Sequence, residues 1–280
     1  MAKTLVDFHT HSSESDGSLS PEQLVDFAAG SGLIALALCD HDTTSGLERF
    51  EARAAQKNIR VFPGVEISAT WPAGNCHIVG LGVRPGYGPL EDVLRKIRDS
   101  RGNRNERIIE KLNDLGIGIT LDDARALAGG DVVGRPHMAR VMHQRGFVTS
   151  VQEAFDRYLA KGAPAYVDRY RLDPDKAVRL LRDARSLVVL AHPSQLQLDE
   201  PALEEFVDAL VPHGLGAIEA YTPYDGGLEL YLRLAKKHNL TVTGGSDFHG
   251  ESKPDHRLGY YGDGLPIPVE CLDAVSNSAI

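Results

Sequence analysis

Two histidines two positions apart stand early in the chain, in the stretch DFHTHSSESDG of residues 7–17. His9 and His11 follow a short apolar run, and Asp16 comes shortly after them. Imidazole and carboxylate groups are ligands for divalent metal ions. Because the residues behind the motif are typical of a turn and then a helix, the histidines are predicted to lie at the carboxyl end of a strand. That end of a β/α unit is where β/α proteins place their chemistry.

Further donors follow other apolar runs, and they come from several predicted strands. They are His41, Glu66, His192, Asp247 and His249. His77 differs because it opens an apolar run, and the segment ATWPAGN before it favours a hairpin that returns His77 beside Glu66. So many donors on one rim would repel one another without a positive charge among them. A ligand set without thiolate suits Zn²⁺, Mn²⁺ or Fe²⁺.

The rest of the chain alternates apolar runs with amphipathic segments, which predicts strands alternating with helices. The apolar runs are TLVDF, LIALALCD, IRVFPGVEIS, CHIVGLGV, SLVVLAHP, LGAIEAY and LTVTGGSDFH. The amphipathic segments cover 44–57, 173–184, 200–213 and 227–238, and Ser20 is predicted to cap an earlier helix that begins at Pro21. Near-continuous apolar strands favour a parallel sheet covered by helices, here a closed or nearly closed barrel of seven strands.

One stretch lacks strands. Residues 102–162 contain helix-like runs such as RNERIIEKLNDLG, so we predict a helical insertion that acts as a cap. The barrel is then predicted to consist of residues 1–101 and 163–280.

The composition indicates an ordinary globular protein of 280 residues, with 42% hydrophobic residues and a formal charge of −9. No apolar run reaches the length of a membrane span, and the first residues lack the apolar core of a signal peptide, so we predict a cytoplasmic protein. Cys39, Cys76 and Cys271 have no metal-type spacing and are predicted to be small buried residues. The negative charge disfavours binding to long nucleic acid.

Six motifs together resemble a known family. DFHTHSSESDGSLSPEQL, ALCDHDTTSGL, GVEIS, HIVGLG, LAHPS and GSDFH occur in the order found in the polymerase and histidinol phosphatase (PHP) family of metal-dependent phosphoesterases. The resemblance implies a distorted seven-stranded (β/α)7 barrel that holds two or three divalent ions. It implies three ligand sets, which are His9, His11, Glu66 and Asp247, then Glu66, His77 and His192, and finally Asp16, His41 and His249.

Within that family, the insertion and the sequence HIVGLGV most resemble those of nucleoside 3′,5′-bisphosphate 3′-phosphatases and related 5′→3′ exoribonucleases. The resemblance therefore implies a hydrolase of the 3′-phosphate of nucleoside bisphosphates, or of the 5′ ends of short RNA. We expect the protein to be a monomer. Metal ions suit such chemistry because they activate water and neutralise phosphoryl oxygens, so a hydroxide that bridges the ions is expected to attack phosphorus. Either a metal-bound water or His249 can protonate the leaving oxygen.

Some residues are candidates for substrate contacts. Arg135 and His137 open a predicted helix, and both are candidates for catalysis as well as for substrate binding. An arginine at a helix start is suited to binding a phosphate, although a solvated helix start is the alternative. Ser12 is a further candidate for substrate binding. Four aromatic residues can stack on a base or pack in the core, namely Trp71, Tyr221, Tyr224 and Phe248.

Three alternatives stay open. One is another phosphatase of the same family, of the histidinol-phosphate type. A second is an amidohydrolase-like metal hydrolase, in which Asp16, His41 and His249 would have no place. The third is a metal-binding or scaffolding module without activity, although such relatives tend to lose ligands and none is missing here.

Overall fold

The computed structural model describes residues 5–128, 133–168, 170–224 and 226–278. The strands in this part of the chain are β1 (Leu5–Asp7), β2 (Leu33–Leu38), β3 (Arg60–Ala69), β4 (Cys76–Leu81), β5 (Leu187–Leu190), β6 (Ala217–Tyr221), β7 (Thr241–Gly244), β8 (Tyr260–Tyr261) and β9 (Leu265–Pro266). The α-helices are α1 (Pro21–Gly30), α2 (Leu47–Lys57), α3 (Gly88–Asp114), α4 (Leu121–Ala128), α5 (Arg135–Gln144), α6 (Val151–Ala154), α7 (Pro174–Asp183), α8 (Glu200–Leu210), α9 (Leu228–His238) and α10 (Glu270–Ser278).

One seven-stranded sheet carries the strands β1 to β7 in chain order, while β8 and β9 form a separate hairpin. Neighbouring strands are parallel except at β4, which is antiparallel to both β3 and β5. Backbone hydrogen bonds also join the two outer strands, since the Phe8 N–H donates to the Gly244 carbonyl at 3.0 Å and the His11 N–H donates to the Phe248 carbonyl at 2.9 Å. The predicted α/β class with seven sheet strands is confirmed.

The strands are apolar because both of their faces are covered. In β2, Ala35, Leu36, Ala37 and Leu38 are all fully buried. A strand covered on both faces needs apolar side chains at every position, which explains its near-continuous apolar run. The amphipathic segments form α2, α7, α8 and α9 in the predicted places.

The predicted hairpin joins β3 and β4, and it brings a histidine back beside Glu66. The two strands pair antiparallel, with Ser68 opposite His77. The turn between them includes Gly74, whose φ is +60° and whose missing Cβ would lie 2.1 Å from the Gln195 carbonyl oxygen. Only glycine fits this conformation and this close approach.

The chain divides into two compact units, residues 1–92 with 171–280 and residues 93–170. The first contains the sheet. The second is helical and has its own apolar core, in which Ile108, Leu112, Met138 and Met142 are buried. The predicted insertion of residues 102–162 falls inside the second unit, and its boundaries as a domain stay a prediction.

The three cysteines are free and buried, as predicted. Burial raises the pKa of the Cys76 and Cys271 thiols to about 12, so neither is a reactive thiolate near neutral pH. No helix among the described residues is long and apolar enough to cross a membrane.

The start of α1 is fixed by the predicted Ser20 cap. The Ser20 hydroxyl accepts from the Gln23 N–H at 3.2 Å, and the Gln23 side chain accepts from the Ser20 N–H at 2.9 Å. We expect Ser20→Ala to lower the free energy of unfolding by about 0.5–2 kcal/mol, because a helix N–H loses its acceptor. Chemical denaturation measures this, with Ser31→Ala at the other end of α1 as the control. Equal stability of the two variants would contradict the capping role.

Candidate metal centre

The predicted donors lie at the rim where the parallel strands end. Their positions are His9, His11 and Asp16 after β1, His41 after β2, Glu66 on β3, His77 on β4, His192 after β5, and Asp247 and His249 after β7. His77 reaches this rim because β4 runs in the opposite direction and begins there. The structure brings all nine predicted donors into overlapping groups, within each of which the candidate ligand atoms lie within 4.8 Å of one another.

Glu66 lies at the centre of these groups and is fully buried. Within the described chain its two oxygens contact nitrogens of five histidines, at 3.3 Å for His9, 3.3 Å for His11, 2.9 Å for His41, 2.8 Å for His77 and 3.0 Å for His192. Oε2 faces the first three of these histidines and Oε1 the last two. One carboxylate therefore joins two groups of imidazoles.

Asp16 marks the exposed side of the cluster. Its oxygens lie 3.1 Å from His249 Nε2, 3.7 Å from His41 Nε2 and 3.8 Å from His11 Nδ1. The Asp16 side chain is 41% exposed, whereas the His11 and His249 side chains are at most 1% exposed. A substrate can therefore approach the cluster from the Asp16 side.

Several buried atoms of the cluster lie close to other donors but make no hydrogen bond of acceptable geometry among the described residues. They are His9 Nε2, both ring nitrogens of His11, His41 Nδ1, Glu66 Oε2 and His249 Nε2. Each unsatisfied buried polar atom costs about 1–3 kcal/mol. Cations placed between these atoms would satisfy them, so the donor set fits divalent metal ions.

Two of the predicted ligands have a backbone conformation that most residues avoid. His192 has φ +27° and Asp247 has φ +48°, both in the left-handed region. Such conformations cost about 1–3 kcal/mol and concentrate at functional sites. Here the strained backbone directs the two side chains into the cluster.

Burial and neighbouring charges shift the pKa values of the cluster residues in different directions. Burial alone would raise the pKa of Glu66, but the surrounding histidines hold it well below its usual range. Burial lowers the pKa of His41, but the Glu66 and Asp16 carboxylates outweigh it and raise this pKa to about 9. Burial and the neighbouring His249 lower the pKa of His11 to about 3, so the His11 ring stays neutral and able to bind a metal ion.

Glu219 was missed by the sequence analysis. It lies on β6, is 2% exposed, and its Oε2 accepts from His9 Nδ1 at 2.7 Å. This bond turns His9 Nε2 toward Glu66 and Asp247, which is the usual way in which a carboxylate orients a metal-binding histidine. A single carboxylate inside the apolar run AIEAY was the signal that could have revealed it.

Tyr224 and Lys253 were also missed as partners of Asp247. The Tyr224 hydroxyl donates to Asp247 Oδ2 at 2.5 Å, and Lys253 Nζ donates to the same oxygen at 2.7 Å. The other oxygen, Oδ1, faces His11 Nε2 at 3.2 Å. The two partners therefore determine which Asp247 oxygen faces the cluster. Both lie in loops whose paths the sequence does not fix.

Ser12 lies beside the cluster and bonds to a buried carboxylate. It is fully buried, and its hydroxyl and N–H both donate to the buried Asp40 carboxylate, at 2.6 and 2.8 Å. Ser15 donates to Asp40 as well, at 2.6 Å. These bonds fix the loop after β1, and the contact of Ser12 with substrate stays a prediction.

Arg135 and His137 open α5 in the helical unit, as predicted. Arg135 Nη1 donates to the Leu159 carbonyl at 2.8 Å, and its guanidinium lies 5.4 Å from the centre of the Tyr166 ring. His137 Nδ1 accepts from the Gly134 N–H at 3.0 Å. Both side chains are partly exposed, and their contact with substrate stays a prediction.

Comparisons with known proteins agree with this geometry. The family model of the PHP domain matches residues 7–163. The chain is 32% identical over 265 residues to a 3′,5′-nucleoside bisphosphate phosphatase of Chromobacterium violaceum, covering 94% of this chain and 93% of the relative. It is 35% identical over 248 residues to a 5′-3′ exoribonuclease of Haemophilus influenzae, covering 87% of this chain and 89% of the relative.

A solved structure has the same fold over nearly the whole chain. It is described as an amidohydrolase from Chromobacterium violaceum with bound sulfate and no metal, and it is 30% identical to this chain. The TM-score is 0.79, and the match covers 97% of both chains.

The number of donors in the cluster indicates how much metal the protein should bind. Because nine donors exceed the coordination of one ion, we expect more than one equivalent of divalent metal per chain after purification without chelator. Elemental analysis measures this. Glu66→Gln should lose most of the metal, while His143→Gln, at an exposed position of α5, should keep it. One equivalent or less in the unmodified protein would contradict the prediction.

Proposed function

The chain belongs to the PHP domain family, and from this premise we propose that it is a metal-dependent phosphoesterase that acts on nucleotides. Its proposed reaction is hydrolysis of the 3′-phosphate of nucleoside 3′,5′-bisphosphates, with the 5′ ends of short RNA as a second substrate. The observation that carries the proposal is the gathering of nine imidazole and carboxylate donors around the buried Glu66. The names of the two similar relatives support the substrate class.

The proposed cofactors are two or three divalent ions, with Mn²⁺, Zn²⁺ and Fe²⁺ as candidates. The proposed ligand sets are His9, His11, Glu66 and Asp247, then Glu66, His77 and His192, and finally Asp16, His41 and His249. Short contacts within each set support them, such as 3.3 Å between His77 Nδ1 and His192 Nε2. When bound, such ions lower the pKa of water and neutralise phosphoryl oxygens.

Buried side chains of the protein hold the proposed metal ligands in the positions that phosphate hydrolysis requires. Glu219 holds His9, and Tyr224 and Lys253 hold Asp247, so the donors are fixed before a phosphate arrives. His249 Nδ1 donates to the Asp247 carbonyl at 2.7 Å, which directs Nε2 toward Asp16 on the exposed side. From that position His249 Nε2 is the proposed metal ligand or, when it does not bind a metal ion, the proposed proton donor to the leaving oxygen.

In the proposed enzyme the helical unit binds the second phosphate of the substrate. Arg135 lies at the amino end of α5, where backbone N–H groups and a guanidinium both favour an anion. His137 lies two residues further, in the same first turn of α5, and is the proposed second contact. Because this phosphate is remote from the bond that breaks, its binding energy can be used to orient the reacting phosphate.

An amidohydrolase-like reaction is the second candidate, because the similar solved structure carries that description. The cluster disfavours it for a specific reason. Asp16, His41 and His249 form a third group with His11, and the amidohydrolase scheme has no place for these donors. Sulfate in the similar structure is a tetrahedral oxyanion like phosphate, which also favours the phosphoesterase. A panel of cyclic amides and phosphate esters separates the two reactions.

We propose that the enzyme works as a monomer in the cytoplasm on small nucleotides and RNA ends. The formal charge of −9 supports the exclusion of long nucleic acid, because such binding depends on cationic side chains.

Removing a predicted ligand should abolish hydrolysis without unfolding the chain. We expect Asp247→Asn or His192→Asn to lower kcat/KM for phosphate esters at least about a hundredfold, because a donor of the cluster is lost. Asparagine tolerates the positive φ at both positions, so circular dichroism should show a retained fold. Asp208→Asn, at an exposed position of α8, is the matched control. Full activity of either cluster variant would rule out this mechanism.

Removing Arg135 should weaken the preference for a second phosphate. The unmodified enzyme should cleave adenosine 3′,5′-bisphosphate faster than p-nitrophenyl phosphate. We expect Arg135→Ala to reduce that advantage by about 1–3 kcal/mol, the range for a hydrogen bond to a charged group. Arg140→Ala, at an exposed position on the same helix, is the control. Equal slowing of both substrates, or no slowing, would mean that Arg135 does not contact the second phosphate.

A further inference from the structure

A cavity of about 630 Å³ opens at the carboxyl end of β6. Its walls are formed by the loop after β6, the first turn of α9 and the hairpin of β8 and β9. Pockets for small ligands have volumes of about 300–1,000 Å³, so this cavity is large enough for more than a phosphate. The cavity lies in the same unit as the metal cluster.

Tyr224 connects the cavity to the cluster. It lines the cavity, and its hydroxyl donates to Asp247 Oδ2 at 2.5 Å. Its ring also packs edge-on against His192, with 5.4 Å between the ring centres. A molecule in the cavity and a phosphate at the cluster would therefore be neighbours.

Thr222, a residue of the cavity wall, has a buried hydroxyl without a partner among the described residues. Thr222 is 4% exposed, and its Oγ1 makes no hydrogen bond with the described residues. A buried hydroxyl without a partner is costly, so a ligand that bonds to it would be stabilised. This observation points to a ligand with polar hydrogens or acceptors of its own.

The charges of the wall exclude a phosphate from the cavity. Three carboxylates line it, those of Glu200, Glu229 and Asp263, against one guanidinium, that of Arg233. Arg233 already pairs with Glu200. The excess of two negative charges repels anions and favours a neutral ligand that donates N–H or O–H hydrogen bonds.

The aromatic residues of the wall suit a flat ring. Of the four aromatic candidates from the sequence, Trp71 packs against Phe206 and Phe248 stacks on Phe27. Tyr224, by contrast, lines the cavity, as does Tyr261. Aromatic side chains bind bases by stacking, which is worth about 1–3 kcal/mol for each base.

Resting on the proposed phosphoesterase function, we infer that this cavity binds the nucleoside part of the substrate while the reacting phosphate lies at the metal cluster. The ribose hydroxyls and base amines supply hydrogen bonds to Thr222 and to the carboxylates, and the base packs against the tyrosines. The second phosphate is excluded from the cavity by charge and needs a cationic contact elsewhere.

The test compares two substrates and one ligand without phosphate. Thr222→Val keeps the shape of the side chain and removes its hydroxyl. We expect it to raise KM for adenosine 3′,5′-bisphosphate about tenfold and to leave KM for p-nitrophenyl phosphate unchanged. Calorimetry with adenosine on chelator-treated protein should show binding about tenfold weaker than in the unmodified protein. Thr222→Ser should restore both values.

Two further variants provide a matched control and an independent test of the cavity. Thr241→Val, on β7 outside the cavity, is the matched control and should leave adenosine binding unchanged. Tyr261→Leu removes an aromatic side chain from the cavity wall and should weaken adenosine binding. It provides an independent test if Thr222→Val does not fold. Adenosine binding at the unmodified level in the folded cavity variants overturns the inference. If the unmodified protein hydrolyses neither ester, the proposed function fails, while the calorimetry still decides the ligand of the cavity.

Discussion

The Glu66 carboxylate lies fully buried on β3 with nitrogen atoms of five histidines within 3.3 Å. Removing a carboxylate from water costs several kcal/mol, and only close positive or polar partners compensate for this cost. Since its two oxygens serve different histidines, the carboxylate must be held in one orientation. A position inside a central strand, paired on both sides, provides that rigidity. The remaining strands then bring the other donors to it.

A second layer of buried carboxylates holds the donors in place. Asp7 accepts from the Ser246 hydroxyl at 2.5 Å and from the Gly259 N–H at 2.7 Å, which ties β1 to the loop that carries Asp247. Burial raises the pKa of Asp7 to about 6, a sign that its carboxylate is placed there at some cost. Glu219 plays the same part for His9. The segments that follow β1 and β7 are therefore each bonded to a carboxylate beneath them.

The sequence predicts those parts of the site that depend on strand direction. His9, His41 and His192 could be assigned to one rim because the carboxyl ends of parallel strands meet at the same edge. His77 was predicted from the turn residues that precede it. The orientation of Glu219 could not be predicted, because the face of β6 to which it points depends on register, and the β6–β7 pairing shifts between Glu219 and Tyr221. The contacts of Ser12 and Lys253 depend on loop paths, which only the folded chain determines.

The left-handed backbone of Asp247 has a consequence for the way in which related sequences are compared. At φ +48° a β-branched residue is strongly disfavoured, while Asp, Asn and Gly are tolerated. Folding alone therefore restricts this position, even in a descendant that no longer hydrolyses anything. Glu66 lies in a regular strand, where the backbone accepts most side chains. A glutamate that related sequences keep at position 66 therefore indicates selection for the chemistry of the site. An aspartate that they keep at position 247 also reflects selection for the fold.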